Sequence, residues 1–347
     1  MKTAIAQPPV PERWLGPLSE IVGNMPVSYF GIVLGLAGLG NAWRGAEQAW
    51  RMPKFVADWI YLVAGLVWAV LVILLLLKAL LAPDKLAAEA AHPVQCCFIG
   101  LAGVATMLIA GGLVPYERMS ASILFGVGFA FTLGFAVWRT GGLWQGERHP
   151  ETTTAVLYLP TVAGSFVSAS VVSALGYPDW GQLAFGAGVF SWFALESVLL
   201  HRLLTGPTKA VELRPTLGIQ LAPASVGAVA YIAINGGAPD VFVHALIGYG
   251  LLQLLVLARL SRWIARAGAV PGLWAFSFGL SALAAAPAYL VARGDGGTVS
   301  ALSVPLFVIA NAFIICLVFM TLSLLTTGKM FVSLKRMERR QEEPAAG

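Results

Sequence analysis

The sequence predicts an all-α integral membrane protein: ten transmembrane helices, paired as five helical hairpins around a central pore with pseudo-five-fold symmetry. Three observations lead there. Stretches of 18 or more residues without Asp, Glu, Lys or Arg recur, among them Trp59–Leu77, Met119–Trp138, Val241–Ala258 and Val299–Gly328, and about 20 apolar residues span a bilayer as a helix. Hydrophobic residues make up 58% of the 347 and charged residues 11%, against roughly 25% charged in soluble domains. Lys and Arg also fall mostly on one side of the alternating spans.

In order, the spans run near 26–43, 55–82, 94–113, 119–139, 155–175, 180–203, 217–235, 241–264, 272–292 and 299–327. Residues 1–24 precede them as an N-terminal segment. It holds Pro8, Pro9, Pro11 and Pro17 and no apolar core, so it does not read as a signal peptide. Turn signals separate the spans: Ala82-Pro83-Asp84, Val114-Pro115-Tyr116, Gly176-Tyr177-Pro178-Asp179, Gly236-Gly237-Ala238-Pro239-Asp240 and Gly294-Asp295-Gly296-Gly297. The membrane domain covers 25–328. A basic tail, 329–347, follows the last span directly, which favours contact with the membrane surface over nucleic acid.

With ten spans, 17 of the 22 Lys and Arg fall on the side of the termini, and only Arg44, Arg51, Lys54, Arg118 and Arg293 fall on the other. This bias predicts cytoplasmic termini and an even number of spans. Odd and even spans also differ in kind. Even ones are bulky, as in Leu74-Leu75-Leu76-Leu77. Several odd ones are small and proline-bearing, as in Leu159-Pro160-Thr161-Val162-Ala163-Gly164 and Leu221-Ala222-Pro223-Ala224-Ser225. Proline kinks a helix and frees carbonyls, so these helices belong inside the protein, the kinks serving either packing or a cavity. Gly126-x-Gly128, Gly186-x-Gly188 and Gly248-x-Gly250 recur 60 and 62 residues apart, and Pro160 and Pro223 lie 63 apart. A period near one hairpin suggests five inner helices around an axis and five outer ones facing lipid.

The chemistry of an enzyme is missing. No phosphate loop, nucleophile elbow or metal-ligand spacing appears, and neither cofactor nor metal is expected. Cys96, Cys97 and Cys316 read as buried, unreactive thiols. Proton-coupled carriers usually hold acids in mid-membrane; here the candidate is Glu196, expected to pair with Arg202 near the end of its helix. What remains is a passage lined by small residues and phenylalanines. Its sharpest stretch is Leu273-Trp274-Ala275-Phe276-Ser277-Phe278-Gly279, where Phe278 stands between the small residues Ser277 and Gly279. That ring either fills the bundle core or constricts a pore, where its positive edge would face an anion without binding it tightly.

Together with this stretch, Tyr29-Phe30-Gly31-Ile32, His92-Pro93-Val94, Tyr158-Leu159-Pro160, Ser168-Ala169-Ser170, Gly186-Ala187-Gly188 and Leu221-Ala222-Pro223-Ala224 resemble the tellurite-resistance/dicarboxylate transporter family. That family also contains the plant guard-cell slow-type anion channels, and the resemblance covers about residues 24–330. It implies a homotrimer in the bacterial inner membrane, each protomer with its own pore. It implies that Phe278 occludes the pore and that Phe30, Phe98 and Phe166 line it, together with Ser225, Ser277 and Gly279. The family places proline where this chain has Val33 and Gly103, and its closer members place phenylalanine at Ser225. Gly103 joins Pro160 and Pro223 as an expected bend. The implied activity is passage of small inorganic or organic anions. The runner-up is a proton-linked C4-dicarboxylate carrier or an efflux route for tellurite-like oxyanions. The charge partition makes one outcome testable: tags on residues 1 and 347 should both be shielded from the periplasm in intact cells, and labelling of either from outside would overturn the topology.

Overall fold

The computed structural model describes residues 19–146 and 150–330. Most of the N-terminal segment, Arg148 and the basic tail from residue 331 lie outside these. Among the described residues there is no strand, and nine helices are long and apolar enough to cross a membrane. They are α2 (Lys54–Leu81), α3 (Cys96–Leu113), α4 (Arg118–Trp144), α5 (Ala155–Ala174), α6 (Pro178–Thr205), α7 (Val211–Ile234), α8 (Val241–Ala267), α9 (Pro271–Ala292) and α10 (Gly297–Thr326). A further helix, α1 (Phe30–Trp50), precedes them. It is long enough to span but carries Asn41, Arg44, Glu47 and Gln48 in its second half. A short helix, Pro83–Ala91, occupies the connection after α2.

Burial alternates along the chain. In α3, α5, α7 and α9, 72–78% of the apolar stretch is buried, against 11–33% in the even helices. The composition explains this. Large side chains on the even helices, such as Leu66, Ile73, Phe190, Leu255 and Phe319, are exposed, as lipid contact permits. Trp59, Trp144, Trp180, Tyr116 and Tyr177 are exposed near helix ends, where amphipathic rings suit the membrane interface.

Each odd helix packs on the even helix that follows it. The odd helices also pack on one another in the order α1, α3, α5, α7, α9, and α9 returns to α1. Because an even helix carries the chain back each time, the odd helices run in one direction. The inner helices begin irregularly. A 3-10 turn, Val27–Tyr29, leads into α1. A turn at Gly100 interrupts α3. A π-turn, Leu159–Ala163, contains Pro160 in α5. 3-10 segments, Val211–Leu221 and Pro271–Phe276, give way to α-helix next to Pro223 in α7 and at Ser277 in α9. The interruption in α3 thus lies at Gly100, and Gly103 sits inside regular helix.

The Gly-x-Gly repeat is a packing device. The first glycine of each pair, Gly126, Gly186 and Gly248, has nothing within 4 Å of an added Cβ. The second meets the inner helix of its own hairpin: Gly128 faces Gly103, Gly188 faces Phe166 and Gly250 faces Ser225. In lipid there is no hydrophobic drive between helices, so close approach over small residues supplies the contact.

One expectation changes: Cys96 and Cys97 are buried, but Cys316 on α10 is exposed. Lys78, one of the 17 basic residues counted on the side of the termini, is buried; it bonds the Met25 carbonyl at 2.8 Å and Glu89 at 2.5 Å. The other Glu89 oxygen accepts from Val27 N at 3.0 Å, so one ion pair ties the start of α1 to the connecting helix.

The tightest seam joins α1 to α9. A Cβ on Gly35 would lie 2.2 Å from Ser277 Oγ, and one on Gly38 would lie 2.1 Å from Ser281 Oγ. Gly35→Ala should therefore lower stability by about 1–3 kcal/mol through overpacking, while Gly126→Ala should change it little, as thermal unfolding in detergent would report.

Candidate functional site

Successive residues of an α-helix point about 100° apart, and the neighbours of α9 fix its orientation. Ser277 faces α1 at Gly35, and its hydroxyl donates to the Trp274 carbonyl at 2.7 Å. Gly279 faces α7, where an added Cβ would sit 2.8 Å from the Leu221 and Ala222 backbone. Phe276 packs between Gly218 of α7 and Phe313 of α10, the two rings 6.0 Å apart. Phe278 takes the direction between the α1 and α7 contacts, opposite Phe276. Its own ring edge lies 3.2 Å from where a Cβ on Gly38 would be, and it is 9% exposed. Ser281, one turn on, returns its hydroxyl to the Phe278 carbonyl at 3.0 Å, so neither serine presents an unmet donor.

The other expected lining residues have the following neighbours. Phe166 is fully buried in the seam of α5, α6 and α7, beside Gly188 and Gly227 and 5.5 Å from the Phe185 ring. Ser225 is fully buried, and its Oγ, without a hydrogen-bond partner among the described residues, lies beside Gly250 of α8. Gly103 meets Thr132 and Gly128 of α4. These three take equivalent places, each facing the outer helix of its hairpin. Phe30 is fully buried at the start of α1, and Phe98 is half-buried in the first turn of α3.

The environment of Glu196 differs from expectation. Its Oε2 accepts from the Tyr158 hydroxyl and from Trp192 Nε1 at 2.8 Å, and its Oε1 accepts from the Tyr249 hydroxyl at 2.5 Å. Gln253 donates to Tyr249 at 2.8 Å. Arg202 does not pair with Glu196. Its guanidinium bonds the Pro150 and Pro207 carbonyls, each at 3.1 Å. The helix explains both facts. Residue i+6 lies on another face, whereas Trp192, at i−4, lies on the same one. The carboxylate ties α6 to α5 and α8 through neutral donors, a pattern that charge counting could not reveal.

Gly35 and Gly38 also escaped the sequence reading, although the small-residue spacing Gly31, Gly35, Gly38 on α1 carried the signal.

A family model described as voltage-dependent anion channel, SLAC1, matches residues 24–322. The chain is 39% identical over 310 residues to the tellurite resistance protein TehA homolog of Haemophilus influenzae, covering 89% of this chain and 93% of that one. It is 24% identical over 224 residues to the S-type anion channel SLAH3 of Arabidopsis thaliana, covering 61% of this chain and 34% of that one.

The Glu196 cluster yields a direct test. Glu196→Leu leaves the Tyr158, Tyr249 and Trp192 donors without their acceptor, at about 1–3 kcal/mol for each buried group. Thermal unfolding should show a loss of at least several degrees, while Arg202→Gln should shift the midpoint far less.

Proposed function

The chain belongs to the SLAC1 family, and from that premise we propose that it is an anion channel with Phe278 as the gate. Small anions pass along the axis of the inner helices, and the Phe278 ring closes that axis part-way. Direction carries this reading: with Ser277 turned to α1, Gly279 to α7 and Phe276 to α10, Phe278 is the large side chain of this turn aimed inward. A phenyl edge carries partial positive charge, so it can face an anion without offering a binding charge. Phe30 and Phe98 add apolar surface near the end of the axis where the inner helices start.

The protomer is a ten-span unit in which α1 serves as the first span, and its five hairpins repeat around the axis. The closed order of inner-helix contacts and the recurring Gly-x-Gly seats support that pseudo-five-fold reading. It is a homotrimer in the bacterial inner membrane with cytoplasmic termini, as the resemblance and the partition of Lys and Arg suggest.

A second reading has its own support, since a relative 39% identical is named for tellurite resistance: the permeant species is then a tellurite-like oxyanion. A proton-linked carrier is less well supported, because both oxygens of Glu196 are already engaged by neutral donors.

Planar-bilayer recording tests the gate. Phe278→Ala should remain folded and raise anion conductance strongly, since the vacated volume joins the passage instead of leaving a sealed cavity, which for a core phenylalanine costs about 3–5 kcal/mol. Phe276→Ala should leave the pore closed. Unfolding of Phe278→Ala without any conductance would make the residue part of the core and defeat the gate. Substituting tellurite for chloride in the same recording separates the two permeant classes.

A further inference from the structure

The five Lys and Arg residues that fall against the charge bias lie on one face: Arg44 in the last two turns of α1, Arg51 and Arg293 at the C-caps of α1 and α9, and Arg118 and Lys54 at the starts of the outer helices α4 and α2. Arg44 of α1 bonds the carbonyls of Gly111 and Gly112 at the end of α3, at 3.1 and 2.6 Å. Arg118 bonds the Leu175 carbonyl just past α5. Arg293 bonds the carbonyls of Ile232 and Asn235 at the end of α7, both at 2.6 Å, and is itself the C-cap of α9. Arg51 is the C-cap of α1 and adopts the left-handed conformation, φ 54°. Every inner helix therefore ends against an arginine. The fifth cation, Lys54, lies over the Tyr116 ring at 5.3 Å.

The acids of this face follow the opposite rule. Glu117 caps α4 by accepting from Met119 N and Ser120 N, and Asp240 caps α8 by accepting from Phe242 N and Val243 N. Asp179 sits in the first turn of α6, Asp58 near the start of α2, and Asp295 two residues before α10, beside His244 Nε2 at 2.8 Å. Among the described residues, Glu47 is the acid that an inner helix contributes at this end. Bonds from Ser120 to Glu117 and from Tyr231 to Asp240 hold these two carboxyls below the ordinary carboxylate range.

We propose that Arg44, Arg51, Arg118 and Arg293 form a cationic collar that admits anions to the axis from the face where the inner helices end. Each helix C-terminus presents about half a negative elementary charge. Five parallel ends sum to roughly −2.5, which would repel an anion approaching the axis. Four arginines at those ends more than offset this, while acids on the surrounding outer helices make the periphery less attractive than the centre. Such a pattern of inner cations and outer anions focuses anions onto the axis. The inference rests on the anion-channel reading and adds residues that set access from one side.

Bilayer recording of Phe278→Ala at about 0.01 M salt, where screening is weak, tests it. Adding Arg44→Gln, Arg118→Gln or Arg293→Gln should reduce, several-fold, the anion current that enters from this mouth, leave current from the opposite mouth largely intact, and lose the difference near 1 M salt. The matching Lys variants should retain the current, because they keep the charge while losing the forked bonds to carbonyl. Arg51→Gln, whose side chain is exposed, supplies a variant that does not depend on cap bonds for folding and should show the same one-sided loss. Unchanged rectification in Arg51→Gln and in the folded Gln variants would overturn the collar. Absence of anion current in Phe278→Ala itself would instead count against the channel reading.

Discussion

The close backbone approach of α1 and α9 is the contact on which the molecule depends. It closes the inner ring by joining its first and last helices, 248 residues apart in the chain at the Tyr289–Asn41 bond that crosses it. Gly35 and Gly38 leave no room for a methyl group against Ser277 and Ser281. In a bilayer, lipid tails compete with any apolar side chain for the helix surface, so association relies on packing and on interhelical hydrogen bonds. The same seam brings the ring of Phe278 against Gly38, which links the fold to the proposed site.

Polar groups in and around the membrane are mostly engaged: many serine and threonine hydroxyls return to a carbonyl of their own helix, and the larger polar groups serve helix ends or bridge helices. Lys78 and Glu89 clasp the start of α1. Glu196 joins three helices through two tyrosines and a tryptophan. Asn41 accepts from Tyr61 at 2.7 Å through its side chain and from Tyr289 at 3.1 Å through its carbonyl, tying α1 to α2 and α9. Trp43 and Trp274 donate to Asn311 and Thr321 of α10, each at 2.8 Å. With Ser277 and Ser281 of α9 bonded to carbonyls of their own helix, what this turn would offer the proposed axis is a phenyl ring, a surface that neither binds an anion tightly nor hydrates readily.

Much of the plan was legible in the sequence. Helix length, the bulky character of even spans and the Gly-x-Gly period separated outer from inner helices, and those signals persist because they reflect direct contacts at Gly128, Gly188 and Gly250. Phe278 was legible as a choice between core and passage; the partners of Ser277, Gly279 and Phe276 place it between α1 and α7. Facing was less accessible. Phe166 and Ser225 lie on inner helices, but which neighbours each side of a buried, uniformly small helix meets has no amphipathic signature; Phe166 packs between Gly188 and Gly227, and Ser225 beside Gly250. Partner choice was inaccessible where it crosses the chain: Glu196 finds Tyr158 and Tyr249, 38 and 53 residues away, rather than the nearby Arg202. The exceptions to the basic bias carried information that a count alone discards, since Arg44, Arg118 and Arg293 are bound to helix ends.

Thiol modification tests the central claim, an axial passage closed by Phe278, most directly. In a chain with Cys96, Cys97 and Cys316 replaced by serine, Phe278→Cys should conduct anions, and a small water-soluble thiol reagent should label it and block the current by refilling the axis. Phe276→Cys, facing Phe313, should neither conduct nor change current on treatment. A Phe278→Cys protein that stays folded, silent and unlabelled, or a block that arises from position 276, would contradict the account.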